Sequence, residues 1–148
     1  MDRSQTVTLT VVCMVYDKDR VLVQDKITKD IRGVIFPGGH IEEKEPCTDA
    51  VVREIFEETG LTIYEPKLCG IKEWFYEEHK RYMVFLYKTD KFSGTLTSSS
   101  EGEVFWTTFE ELKNLNLIWH MDSMVKVMNT DSITELVLSD DYKDVRFI

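Results

Sequence analysis

The chain has 148 residues, of which 43% are hydrophobic, and its 27 acidic against 18 basic residues give a formal net charge of −9. This length and apolar content suit one domain with a packed core, so residues 1–148 are expected to form a single domain. The charge argues against binding a nucleic acid polymer, because a polyanion would be repelled and no basic stripe with interleaved aromatics offsets this. The longest apolar run, VTLTVVCMVY, is too short for a membrane span, and Asp2 and Arg3 in front of it are unlike a signal peptide. Three cysteines without a CxxC pair predict a reduced, cytoplasmic protein.

The first half of the chain is predicted to form a hairpin, a loop and a helix. Alternating branched and polar residues predict strands over residues 7–16 and 21–24, joined by a turn at DKDR. KITKDIRG is predicted to be a polar loop, and VIFPGG a brief strand that stops at Pro37 and two glycines. A helix is predicted over residues 47–59 and ends at Gly60, which suits the left-handed position after a helix.

The second half is predicted to contain more strands and two helices. Aromatic and β-branched residues predict strands within 61–76 and 81–92, and a turn-rich loop follows at 93–103. VFWTTF predicts one more strand and FEELKNL a short helix. A last helix within MDSMVKVMN is predicted from helical spacing of Met121, Met124, Val125 and Met128. The final stretch, ITELVLSDDYKDVRFI, is not assigned to a helix or a strand.

The helix at 47–59 carries an unusual concentration of negative charge. Glu54, Glu57 and Glu58 are three or four residues apart, so their carboxylates can converge on one side of the helix. Repulsion and the helix dipole both disfavour this arrangement near a C-terminus. Convergent carboxylates suit a hard cation such as Mg²⁺ or Mn²⁺. The alternative is a solvated acidic face with an Arg53–Glu57 pair. The packing face is predicted to hold Val51, Val52, Ile55, Phe56 and Thr59, and the loaded face Ala50, Arg53, Glu54, Glu57 and Glu58.

The glycine-rich loop and this helix together form a motif with fixed spacing. The pattern is G-x5-E-x7-R-E-U-x-E-E-x-G-U, with U apolar, and it is matched by Gly39, Glu45, Arg53, Glu54, Ile55, Glu57, Glu58, Gly60 and Leu61. This is the Nudix box, so the chain resembles the Nudix hydrolases over residues 39–61, and the flanking strand order and EGEVFW extend the likeness. The resemblance implies an α/β fold, the Nudix α/β/α sandwich with a central mixed β-sheet. It also implies an enzyme that cleaves a nucleoside diphosphate linked to another group, with Mg²⁺ as the usual metal and Mn²⁺ as an alternative.

The resemblance assigns metal-site roles to four residues of the box region. Glu57 and Glu58 match metal ligands of the family, and Glu54 matches a position that serves as ligand or as general base. The backbone carbonyl of Gly38 matches a further ligand. These roles are expectations carried over from the family.

Other acidic and basic residues are expected to support this site. Arg53 is expected to orient the carboxylates in the catalytic centre, and Glu45 to act as a structural or outer acid. A further metal-site carboxylate is expected at Glu101 or Glu103. Glu103 is favoured because it directly precedes the VFW strand.

The expected partner is a small-molecule nucleotide substrate. Trp119 and Asp122 resemble a Trp and an Asp that stack on a purine and hydrogen-bond its edge in MutT-like Nudix enzymes that sanitise oxidised purine triphosphates. The alternative is that Trp119 covers the core with the methionines that follow it. Many relatives that read a base have an aromatic residue at the position of Val34, so a stacking platform must come from elsewhere. The favoured activity is conversion of a nucleoside triphosphate, with 8-oxo-dGTP leading, to a monophosphate and pyrophosphate. The alternatives are an ADP-sugar or dinucleoside polyphosphate substrate, or nucleotide binding without turnover.

Overall fold

The computed structural model describes residues Met1–Ile148. The helices are α1 (Cys47–Thr59), α2 (Phe109–Leu112) and α3 (Met121–Met128). The strands are β1 (Thr6–Asp17), β2 (Arg20–Ile27), β3 (Arg32–Ile35), β4 (Gly38–His40), β5 (Leu61–Ile63), β6 (Lys67–Glu77), β7 (Lys80–Thr89), β8 (Phe92–Gly94), β9 (Gly102–Thr108), β10 (Glu135–Leu138) and β11 (Val145–Phe147). No helix is long and apolar enough to cross a membrane.

Strand β1 lies at the centre of a mixed sheet and divides it into two parts. It runs parallel to β7 along most of its length and antiparallel to β4 around Val11. It pairs with β2 only at its end, at Tyr16 and Asp17. Strand β2 then pairs with β3 and β9, away from the first part of β1. The two parts of the sheet therefore separate beside the middle of β1, and a cleft opens there.

Helices cover both sides of this sheet, as the predicted α/β/α sandwich requires. One buried cluster contains side chains of α3 packed on β1, β2 and β7, including Met121, Met124 and Met128. A second cluster contains side chains of α1, including Val51 and Ile55, packed against the other side with β5. The prediction of a mixed sheet between helical layers is confirmed.

Helix α1 begins and ends where the sequence predicts. Gly60 has φ 76° and its N–H bonds to the carbonyl of Phe56, which closes the helix in the left-handed region. The predicted division of its faces is wrong at three positions, since Ala50 and Glu58 are buried and Phe56 is 58% exposed. The helix is rotated so that Ala50 contacts the core, which draws Glu58 towards the sheet.

Strand pairing departs from the sequence prediction in three regions of the chain. The two glycines after Pro37 do not only stop a strand; they begin β4, which pairs with β1. The expected loop KITKDIRG contains the paired ends of β2 and β3. The unassigned C-terminal stretch forms a β10–β11 hairpin, and β10 runs parallel to β6. Strands β4 and β10 pair with strands distant in sequence, which local patterns do not reveal, whereas β3 and β11 pair in local hairpins.

Candidate functional site

A cleft of about 900 Å³ lies where the two parts of the sheet separate. At one end it is lined by the glycines of β4 and by acidic side chains of the box helix. At the other end it is lined by aromatic side chains of β6 and β7, by Trp119 and His120 before α3, and by Tyr142 of the β10–β11 turn. The box therefore contributes only one end of a larger cavity.

Arg53 connects the acidic side chains at this end of the cleft through hydrogen bonds. Its guanidinium donates from Nε and Nη2 to the two carboxylate oxygens of Glu45, at 2.7 and 2.8 Å, and from Nη2 to the carbonyl of His40. The hydrogen bonds from Arg53 lower the pKa of Glu45 to about 2, so this carboxylate stays ionised. Nη1 of Arg53 donates to Glu54 at 3.0 Å and to Glu57 at 3.2 Å. The guanidinium thus ties β4, the following loop and α1 into one unit.

Glu54 and Glu58 present buried carboxylates to the cleft. Burial raises the pKa of Glu54, and it raises the pKa of Glu58 to about 7 against an ordinary value of 4.5. Oε2 of Glu58 accepts the N–H of Gly38 at 3.0 Å. A Cβ atom on Gly39 would lie 2.4 Å from Cδ of Glu54, so only glycine leaves room for this carboxylate.

Glu57 points away from this pair. Its side chain is 55% exposed and bonds to Arg53, and it does not line the cleft. Consequently, no three His, Cys, Asp or Glu side chains lie close enough together to hold a metal ion in the observed conformation. The three helix carboxylates do not converge on one point in the observed conformation, because Glu54 and Glu57 meet at Nη1 of Arg53 while Glu58 accepts the N–H of Gly38. The Arg53–Glu57 pair weighed as the alternative does form, although Glu54 and Glu58 are not part of a solvated face.

Glu101, rather than the favoured Glu103, lies at the acidic end. Glu101 lines the cleft and accepts from Nζ of Lys26 at 3.2 Å, and its charge contributes to the raised pKa of Glu58. Glu103 lies within β9 opposite Asp25, with its side chain exposed away from the cleft. The structure therefore places the alternative, Glu101, at the acidic end and Glu103 outside it, while the metal role of Glu101 stays a prediction. Side chains alternate across a strand, and the strand begins at Gly102 rather than after Glu103, so its direction could not be read from the sequence.

The residues at this end have the chemistry to bind a hard divalent cation, for which their carboxylates would have to draw closer together than in the observed conformation. Glu54, Glu58 and Glu101 supply oxygen donors, the type that Mg²⁺ and Mn²⁺ prefer. Two of these carboxylates are desolvated and repel each other, which a cation would offset. The missing Cβ of Gly39 also lets the carboxylate of Glu54 approach the backbone of β4 closely.

The other end of the cleft is a wall of aromatic rings that the sequence analysis did not identify. Trp74 and Tyr82 stack with ring centroids 4.3 Å apart and 9° between their planes, and Tyr142 meets Trp74 edge-on. Trp119 is 42% exposed and lines the same space. It precedes α3 rather than forming its core face, so the alternative of a core-covering Trp119 is wrong. The EEHK turn predicts a hairpin here and would by itself pair Phe75 with Tyr82. A register shift between Phe75 and Glu77 pairs Trp74 with Tyr82 instead, so the sequence indicates the hairpin but not this stacked pair.

Of the predicted pair Trp119 and Asp122, only Trp119 lines the cleft. Asp122 is exposed in the first turn of α3 and does not line the cavity. The charged side chain that does line it here is Lys72 of β6, whose Nζ donates to the carbonyl of Trp119. Trp119 and His120 both have positive φ, 55° and 58°, an uncommon conformation for residues with side chains.

Comparisons with known proteins agree with this architecture. The family model described as NUDIX domain matches residues 6–128. The Bacillus subtilis (strain 168) protein named uncharacterized Nudix hydrolase YvcI is 31% identical over 109 residues, which cover 70% of this chain and 67% of that protein. Phosphatase NudJ of Escherichia coli (strain K12) is 24% identical over 110 residues, which cover 70% of each chain.

Solved structures show the same fold. The MutT protein of Bacillus halodurans superposes with a TM-score of 0.78 at 27% identity, covering 95% of this chain and 97% of that one. A bifunctional NMN adenylyltransferase/ADP ribose pyrophosphatase from Francisella tularensis, complexed with AMP and a Mn ion, superposes with a TM-score of 0.64 at 18% identity over 86% of this chain and 42% of that one. With the family match spanning most of the chain and the box helix beside an acidic cleft, this chain belongs to the Nudix family and is a MutT-like Nudix hydrolase, an enzyme that hydrolyses pyrophosphate linkages.

Proposed function

We propose that this Nudix hydrolase converts a purine nucleoside triphosphate to the monophosphate and pyrophosphate with a divalent metal, and that 8-oxo-dGTP is its leading substrate. The observation that carries the proposal is the continuity of the cleft, which joins buried carboxylates at one end to stacked aromatic rings at the other. A base suits the flat apolar surfaces. A phosphate chain suits the acidic end only together with a cation, because the chain and the carboxylates are both negative.

The metal, Mg²⁺ or the Mn²⁺ present in the Francisella relative, would be held by Glu54, Glu58 and Glu101 with the backbone carbonyl of Gly38. Glu57 stays a predicted ligand, which must first release its bond to Arg53. When bound, the metal neutralises phosphate charge and lowers the pKa of a bound water.

The chain's own residues position the substrate and handle the proton of the attacking water. Arg53 fixes the carboxylate of Glu54 beside the backbone of Gly39. Glu54 either accepts the water proton, for which its raised pKa is favourable, or serves as a ligand. Lys26, which bonds to Glu101 and whose charge acts on Glu58, is the cation available to the phosphate chain at this end.

A substrate panel with Mg²⁺ tests the proposal. The panel contains 8-oxo-dGTP, dGTP, dATP, an ADP-sugar and a dinucleoside polyphosphate, with EDTA as the control. We expect 8-oxo-dGTP to give the highest kcat/KM, with a monophosphate and pyrophosphate as products and no turnover in EDTA. Preferential hydrolysis of the ADP-sugar or the dinucleoside polyphosphate would overturn the proposed substrate.

A Mg²⁺ titration of the Glu54→Gln variant distinguishes a ligand role of Glu54 from a general-base role. If Glu54 is a ligand, a higher Mg²⁺ concentration should restore much of the rate. If it is the general base, kcat should stay low at every Mg²⁺ concentration while KM changes little.

A further inference from the structure

Lys72 is a buried cation in the aromatic end of the cleft. Its side chain is 3% exposed, although it lines the cavity. Its Nζ lies 5.3 Å from the ring centroid of Trp74 and donates to the backbone carbonyl of Trp119. Asp122 is the acid whose charge acts on it, from a distance too long for an ion pair. The cation is therefore held by a ring face and one carbonyl rather than by a carboxylate.

The surroundings of Lys72 leave part of its hydrogen-bonding capacity unused. An ammonium group has three donors, and the carbonyl of Trp119 accepts one of them. Burial lowers the pKa of Lys72 to about 8. A buried charge whose donors lack acceptors is costly, so an acceptor supplied by a ligand in the cleft would bind strongly.

Aromatic rings beside Lys72 shape the space for a flat ligand. Trp74 presents a ring to Lys72 and stacks on Tyr82, its partner across the β6–β7 hairpin. Tyr142 and the half-exposed Trp119 line the same part of the cleft. A planar heterocycle can pack against these surfaces while its edge meets the ammonium group.

The sheet register places Lys72 at a suitable separation from the acidic end. Lys72 pairs with Val84, Val84 with Thr10, and Thr10 with His40, and all four residues line the cleft. Three spacings of about 4.8 Å between these four neighbouring strands give a separation of roughly 14 Å. His40 follows Gly39, which contacts Glu54. An extended nucleotide can span this length with its phosphates at Glu54 and its base at Lys72.

We propose that Lys72 is a specificity-determining residue that donates from Nζ to a carbonyl oxygen on the base edge, and so selects 6-oxo purines over 6-amino purines. This inference rests on the proposed nucleotide function and deepens it. A 6-oxo group accepts a hydrogen bond, whereas a 6-amino group would direct its own hydrogen atoms at the ammonium group. A site built around a buried donor rejects the ligand that leaves this donor unpaired.

Lys72→Met removes the charge and its donors and keeps an unbranched chain of similar length, whereas Lys72→Arg keeps a positively charged donor. The substrates are dITP and dATP, which differ at the 6-position edge and both lack a 2-amino group. We expect the wild type to favour dITP in kcat/KM by about tenfold or more, as for a buried polar contact. Lys72→Met should bring the ratio close to one, mainly by raising KM for dITP, and Lys72→Arg should retain a preference for dITP.

Binding of the monophosphates in the presence of Mg²⁺ gives a second measurement, read from quenching of tryptophan fluorescence by dIMP and dAMP. We expect Lys72→Met to weaken dIMP binding at least tenfold and to leave dAMP binding within twofold. If Lys72 only holds the Trp119 turn, or contacts phosphate, both ligands should weaken equally, which would overturn the inference. Equal binding of dIMP and dAMP by the wild type would also overturn it. If the wild type binds dIMP selectively but hydrolyses no nucleoside triphosphate, the proposed function fails while the selectivity of Lys72 stands.

Discussion

Replacing Glu58 by Gln should stabilise the metal-free enzyme at neutral and alkaline pH. Glu58 is 5% exposed, and burial raises its pKa from 4.5 to about 7. A carboxyl group whose folded-state pKa is raised stabilises the fold in its protonated form, and this contribution is lost as the pH rises through the folded-state pKa. Gln resembles the protonated acid in size and charge, so Glu58→Gln should not undergo this loss.

The size of the effect follows from the two pKa values. At about 1.4 kcal/mol per pKa unit, the rise from 4.5 to about 7 corresponds to about 3 kcal/mol of unfolding free energy when the group is fully ionised. The difference between Glu58→Gln and wild type should therefore be about 1 kcal/mol or less at pH 5 and about 3 kcal/mol at pH 8. Urea unfolding in EDTA at both pH values measures this difference. Glu57→Gln is the matched control, because it makes the same substitution on the same helix at a side chain that is 55% exposed.

Addition of Mg²⁺ at pH 8 then tests the role of Glu58 in the metal site. A ligand that binds only the folded state stabilises it, so Mg²⁺ should raise the unfolding free energy of the wild type. The Glu58→Gln variant should gain little. A stability difference that stays constant from pH 5 to pH 8 would refute the desolvation of this carboxylate, and equal stabilisation by Mg²⁺ would refute its role as a ligand.

Two further predictions concern the glycines and the later acids. Gly38→Ala should destabilise the fold, because its Cβ would lie 2.0 Å from a backbone oxygen of β1. Gly39→Ala should stay folded and lose activity, because its Cβ would displace the side chain of Glu54. Thermal unfolding and turnover assays distinguish the two outcomes. Glu101→Gln should raise the Mg²⁺ concentration needed for half-maximal rate about tenfold or more, and Glu103→Gln should leave it unchanged. Equal metal requirements in the two variants would refute the placement of Glu101 in the site.

The parts of the enzyme that could be predicted from sequence are those encoded by neighbouring residues. Helix α1 follows from a proline before it, a glycine after it and an apolar stripe between them. The box likewise specifies the acidic end, because its carboxylates and glycines lie within about two dozen residues. The rotation of the helix about its axis is harder to predict from the sequence, because the packing of Ala50 against the sheet decides which carboxylates are buried.

Residues that reach the cleft from elsewhere depend on pairing across the sheet. Glu101 and Glu103 have the same charge and differ in placement only because β9 begins between them, at Gly102. Lys72 reads in the sequence as one more charged residue in a strand, IKEWF, whose alternation does not reveal which side is buried. Its burial follows from β10 joining β6 on one side and from Trp119 packing above it, and both contacts involve residues more than forty positions away.

The acidic and aromatic ends of the cleft come from different parts of the chain, so the substrate preference can change without a change in the metal site. Most of the acidic end comes from one contiguous motif, to which Glu101 is added from the loop before β9. Arg53 connects the parts of the motif, so a single change there affects metal binding and the arrangement of several carboxylates. The aromatic end comes from β6, β7, the turn before α3 and the β10–β11 hairpin, which share no such motif. Sites separated by more than about 10 Å usually contribute independently, and Lys72 lies roughly 14 Å from the β4 glycines. Substitutions at Lys72 should therefore alter which base is accepted while the metal requirement set by Glu58 stays as it is.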